Sequence, residues 1–157
     1  MTKDSAAQSG RRHSLRLMVV SVAGLAAGVC PLAQATPSEM QAAIAAFSRG
    51  AMPQAGSVRL VVPELVENGN SVPVSVTVDS PMTERDHVRR IALFSEKNPQ
   101  PQVAVFHLGP RSGRADVSTR IRLADSQRLV AIAELTDGRF VQTSVEVIVT
   151  LAACIEN

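Results

Sequence analysis

In the stretch VPVSVTVDS, Val72, Val74, Val76 and Val78 occupy alternate positions, with Pro73, Ser75, Thr77 and Asp79 between them. Successive side chains of an extended chain point to opposite faces, so this is a strand with one apolar face and one wet face. Comparable segments recur along the chain: SVRLVV (57–62), VRRIALFSE (88–96), QVAVFHL (102–108), ADVSTRIRL (115–123), RLVAIAEL (128–135) and RFVQTSVEVIVTL (139–151). The breaks between them, such as ENGN (67–70), NPQP (98–101), GPRSG (109–113) and TDG (136–138), carry turn-forming residues. Seven short strands at roughly ten-residue spacing predict an all-β fold, an immunoglobulin-like antiparallel β-sandwich. A single sheet would leave the apolar faces wet. Pro73 lacks an N–H to donate, so it must lie near an edge or a strand start.

One segment departs from this period. Thr36-Pro37-Ser38-Glu39 has the form of a capping box, with Thr36 as N-cap, Pro37 as the first helical residue and Glu39 reaching back. Met40, Ala43, Ile44 and Phe47 then recur at helical spacing, and Gly50 suits the left-handed residue that ends a helix. A short helix over 37–49 is expected to lay this stripe on the sandwich. The chain contains four Phe and no Trp or Tyr, so the core must be mainly aliphatic.

The first 35 residues read as a cleaved export signal. Arg11, Arg12 and Arg16 precede an uncharged run from Leu17 to Val29, too short to span a bilayer as a helix, which takes about 20 residues. Ala33-Gln34-Ala35 has the small-x-small form of a cleavage site, placing the cut after Ala35 and the mature protein in the periplasm. The paired arginines resemble a twin-arginine signal, although Ser14 stands where such signals usually carry Phe. A general secretion signal is the alternative. A lipoprotein reading through Cys30 is disfavoured by the bulk of Val29 before it.

Cleavage changes the balance of charge and thiols. Of 16 basic and 14 acidic residues, the signal takes four and one, leaving 12 against 13. The apparent basicity belongs to the signal, and no basic face for nucleic acid follows from the mature composition. Cys30 leaves as well, so Cys154 becomes the unpaired cysteine of an exported protein, where cysteines usually pair. Its place three residues before a terminal carboxylate, with Glu156 nearby, argues for exposure. Negative neighbours raise a thiol pKa, and no basic residue nearby in sequence lowers it. Such a thiol suits being acted upon by other proteins better than acting as a nucleophile. If the last strand is anchored to Thr150, four further residues extend at most about 14 Å.

The remaining chemistry-bearing residues give weaker signals. His107 lies among apolar residues of a strand and reads as structural; His87, beside Asp86, reads as solvated. One cysteine and two widely spaced histidines do not form a metal-ligand pattern, and no nucleophile elbow, phosphate loop or dinucleotide fingerprint is present. GPRSGR (109–114) reads as a turn, with anion binding as the alternative. Arg111, Arg114, Arg120 and Arg122 read as a solvated face, with an anion or partner contact as the alternative.

Taken together, ELVENGNSVPVSVTVDSPM, HVRRIALFSEKNPQPQVAVFHLGP, STRIRLADSQRLVAIAEL and the near-terminal cysteine resemble the SoxY family, the sulfur-carrier subunits of the bacterial thiosulfate-oxidising system. The resemblance implies three parts: a signal over 1–35, a sandwich domain over 36–150 and a carrier arm over 151–157. It implies a carrier without cofactor or metal rather than an enzyme, with thiosulfate-derived intermediates tethered covalently on Cys154. The implied partners are a SoxZ-like sandwich protein forming a heterodimer, a c-type cytochrome pair that joins thiosulfate to the cysteine, and a hydrolase that releases sulfate. The family's usual ending is Gly-Gly-Cys-Gly-Gly. Here Ala152, Ala153 and Ile155 flank Cys154, and alanine is confined to less of backbone space than glycine. A stiffer arm, matched to its own processing enzymes, is expected. Two other readings of an unpaired thiol stand beside this one: a sandwich adhesion or chaperone-like module using Cys154 for an intermolecular disulfide, and a thiol redox sensor.

Overall fold

The computed structural model describes residues 36–152. Residues 1–35, read above as an export signal, and Ala153, Cys154 and Ile155 of the expected arm lie outside the described residues.

Helix α1 spans Pro37–Phe47. The Thr36 hydroxyl accepts from the Glu39 N–H at 3.3 Å, and the Thr36 N–H donates to the Glu39 carboxylate at 2.7 Å. The expected capping box is therefore formed. The helix ends two residues earlier than expected. The Gly50 N–H donates to the Ala45 carbonyl at 2.8 Å and the Arg49 N–H to the Ala46 carbonyl at 3.3 Å, the paired bonds of a Schellman ending. Gly50 has φ +81°, as expected, but Arg49 before it also has positive φ, at +54°. Left-handed backbone costs a side-chain-bearing residue about 1 kcal/mol. This conformation accompanies the contact of Arg49 with Glu134 described below.

The strands are β1 (Gln54–Ala55), β2 (Val58–Val61), β3 (Leu65–Val66), β4 (Val72–Val78), β5 (Val88–Ser95), β6 (Gln102–His107), β7 (Ala115–Ile121), β8 (Gln127–Leu135) and β9 (Phe140–Val149). They form two sheets. One has the order β1-β9-β8-β5-β6, with β3 also on β9; the other has the order β2-β4-β7. Every predicted strand is present, and those seven pair antiparallel. Two strands were not expected. β1 and β3 run parallel to β9, pairing Gln54 with Val141 and Leu65 with Ile148. Each is two residues long, too short for alternation to reveal. The chain thus crosses from one sheet to the other at β2 and returns at β3. Pro73 lies where β4 extends past β2, whose last pair is Val61 with Ser75.

Apolar residues from both sheets meet in the sandwich core, among them Val72, Val74, Val76, Ile91, Leu93, Leu123, Leu129 and Val147. A second core lies on the outer face of the larger sheet, where Met40, Ile44 and Phe47 of α1 cover Ala92, Phe94, Val130, Ile132 and Phe140. The Phe47 ring meets those of Phe94 and Phe140 edge to face, with centroids 5.8 and 5.9 Å away. Strands β5 and β8 are consequently buried on both faces, which explains why IALFS and LVAIAE lack alternation. Gly56 lets the chain leave β1 tight against β9: a Cβ there would stand 2.7 Å from Val141 Cγ1.

Candidate functional site

The chain that leads to Cys154 is held on two sides. On one side, the Ile148 N–H donates to the Glu64 carbonyl at 2.9 Å and the Thr150 N–H to the Val66 carbonyl at 2.9 Å. The Gly69 N–H donates to the Leu151 carbonyl at 2.8 Å, while the Gly69 carbonyl accepts from Leu123 N–H at 2.8 Å. On the other side, the Ser126 hydroxyl accepts from the Val149 N–H at 2.9 Å and donates to the Val149 carbonyl at 3.3 Å. The ENGN segment supports this clamp through an Asx turn, with Asn68 Oδ1 accepting from the Asn70 N–H at 2.9 Å. The held chain therefore reaches Leu151, one residue beyond the expected anchor. Ala152 is exposed. Cys154, Ala153 and Ile155 fall outside the described residues.

The buried charge lies elsewhere. Glu134 is 1% exposed, in the otherwise apolar run of β8. Arg49 reaches one carboxylate oxygen at 2.8 Å, and Arg90 reaches the other through Nε and a terminal nitrogen. The Arg90 guanidinium also lies 4.6 Å from the centre of the Phe47 ring. Burial pushes the Glu134 pKa up; hydrogen bonds and charge from Arg90, then from Arg49, outweigh it, and the net pKa is lowered. This carboxylate fastens the end of α1 to β5 and β8. Sequence reading passed over it, although a lone acidic residue in LVAIAEL was the available sign.

The other sequence candidates are spread over the sandwich. His107 ends β6 and is exposed, a correction to its reading as a structural residue; with Arg49 and Arg90 it borders a shallow hollow of about 490 Å³. His87 is half-buried rather than solvated, with Nδ1 3.0 Å from the Thr83 carbonyl and its N–H donating to Thr136 Oγ1 at 2.7 Å. The GPRSGR segment forms a short 3-10 turn at 110–112, closed by Gly113 at φ +72°. Arg120 leans on Ser71, with both contacts at 3.4 Å. Among the described residues, no three His, Cys, Asp or Glu side chains gather as a metal site would, and no helix is long and apolar enough to cross a membrane.

The family model for the sulfur oxidation protein SoxY matches residues 43–154, which take in the sandwich, the arm root and Cys154. The chain belongs to the SoxY family. A solved SoxY, the sulfur carrier protein from Chlorobium limicola f thiosulfatophilum, is 33% identical with a TM-score of 0.60, covering 73% of this chain and 98% of that one. Superoxide reductase (neelaredoxin) from Ignicoccus hospitalis is 19% identical with a TM-score of 0.54, covering 73% of this chain and 94% of that one. A putative superoxide reductase from Thermotoga maritima is 21% identical with a TM-score of 0.52, covering 66% and 89%. These two share the fold alone with the SoxY chain. No curated protein sequence matches it significantly.

Proposed function

We propose that this SoxY-family chain is a periplasmic carrier that tethers thiosulfate-derived sulfur covalently on Cys154, after removal of residues 1–35. The observation that carries the reading is the family match running through Cys154. The clamp on residues 148–151 supports it, because a carrier needs a fixed body beneath the tethering residue.

In the loading step the Cys154 sulfur bonds to the outer sulfur of thiosulfate. The thiol loses its proton and two electrons pass to c-type haem acceptors on a partner, leaving Cys–S–S–SO₃⁻. A hydrolase then uses water to break the bond between the terminal sulfonate and the sulfane sulfur. It releases sulfate and a proton and leaves a persulfide on the carrier. The chain's own part is to present the sulfur; the redox and hydrolytic groups belong to its partners. A SoxZ-like sandwich completes the carrier as a heterodimer. Ala152, Ala153 and Ile155 make the arm stiffer and bulkier than a glycine arm, so its processing enzymes must accept that bulk.

The test is genetic. In a strain whose thiosulfate oxidation depends on this chain, Cys154→Ser is expected to abolish growth on thiosulfate while the protein accumulates normally. Undiminished oxidation would overturn the reading.

A further inference from the structure

Covalent geometry limits what can reach Cys154. Among the described residues, Leu151 is the last whose backbone is held by the domain. Three further residues place the Cys154 Cα no more than about 10 Å from that of Leu151. A protein that takes this thiol into its own pocket must therefore come close to the surface around Leu151.

That surface is unusual for this domain. Five large apolar side chains are exposed among the described residues: Met52, Val61, Leu65, Ile148 and Leu151. Leu65 and Ile148 are register partners on adjacent parallel strands, at 58% and 59% exposure, and Leu151 follows at 61%. Partners in register project to the same face of a sheet. Acidic residues border them. Glu64 precedes Leu65 and accepts the Ile148 N–H on its carbonyl. The Glu67 backbone carbonyl accepts from the Thr150 hydroxyl at 3.3 Å. Glu146 is two residues before Ile148, on the same face of β9. All three are exposed. Arg128 stands opposite Glu146 in register but bonds to Glu96.

We propose that Leu65 and Ile148, with the held root at Leu151 close along the chain and Glu64, Glu67 and Glu146 at the rim, form the docking surface for the enzyme that loads Cys154. The chemistry of that enzyme's face follows: an apolar centre ringed by Lys or Arg, next to the mouth of a thiol-accepting pocket. The patch supplies the apolar centre that dominates interface energetics, and the acidic rim supplies steering. The inference rests on the carrier reading, because it takes Cys154 to be loaded by a protein partner.

The test compares wild type with the double variant Leu65→Ser, Ile148→Ser in the mature chain, each bound to its SoxZ-like partner. Loading of Cys154 by the purified thiosulfate-coupling cytochrome, with thiosulfate, is followed by intact mass against carrier concentration. Alkylation of the same thiol by iodoacetamide is the control for its accessibility. The double variant is expected to lose about tenfold in kcat/KM, mostly through KM, with unchanged alkylation. Loss of wild-type loading with rising salt and weaker loading of Glu64→Lys, Glu67→Lys are the expected signs of the acidic rim. Equal kcat/KM for wild type and the double variant would overturn the docking surface while leaving the carrier reading intact. Slowed alkylation in the double variant would also overturn it, by showing that the arm root had been disturbed. Absence of loading in wild type would overturn the carrier reading itself, and the docking surface with it.

Discussion

Glu134 shows how one residue couples the helix to the sheet. Its carboxylate is out of water, and two guanidiniums keep it charged. Removing one member of such a group leaves the others poorly compensated, so Glu134→Gln should cost about 2–3 kcal/mol at neutral pH. The pH dependence follows from the direction of the shift. A carboxyl whose pKa is lowered on folding adds stability above its unfolded value, and that contribution is lost as pH falls through the folded value. Urea unfolding should therefore show a constant gap between wild type and Glu134→Gln down to about pH 5, then a shrinking gap below about pH 4. Gly56 gives a steric counterpart. Its missing Cβ leaves room for Val141, so Gly56→Ala should destabilise by about 1–3 kcal/mol, measured by the same unfolding curves. Neither role is local in sequence: Glu134 meets Arg49 across 85 positions, a pairing that no short window contains.

Elements with their own period were legible and those without one were not. Val72 to Val78 announced β4 by alternation, and Thr36 with Glu39 announced α1 by its capping box. β1 and β3 escaped because two residues carry no period; parallel pairing to β9 creates them. The apolar runs of β5 and β8 were recognisable as strands, but their second buried face became explicable only once α1 was seated on it. That seating rests heavily on Phe47, which is 6% exposed and touches Phe94 and Phe140. Phe47→Ala should cost about 3–4 kcal/mol. Binding of an apolar dye should rise under mild denaturant as the outer face of the larger sheet opens, and fluorescence would record it.

At the scale of the whole molecule, the proposed function makes the sandwich a platform for a short tether. The longest strand runs along the sheet to a root held by Glu64, Val66, Gly69 and Ser126. Cys154 was legible as a candidate from thiol count and position, and the family match extends to it. The clamp was not legible, because ENGN read as an ordinary turn and only the fold brings it, with Ser126, to the end of β9. The exposed Leu65 and Ile148 were hidden for the same reason: Ile148 looked like part of an apolar strand and Leu65 lay outside every predicted strand, until the register set them side by side on the surface. The central claim is that this platform presents Cys154 for covalent loading. Intact mass spectrometry of the mature chain in its heterodimer with the SoxZ-like partner, incubated with thiosulfate and its coupling cytochrome, tests that claim most directly. The account predicts a reductant-sensitive adduct carrying the thiosulfate sulfurs, mapped by peptide analysis to Cys154 and absent from Cys154→Ser. An unmodified chain, or one found only as a disulfide-linked dimer, would contradict it.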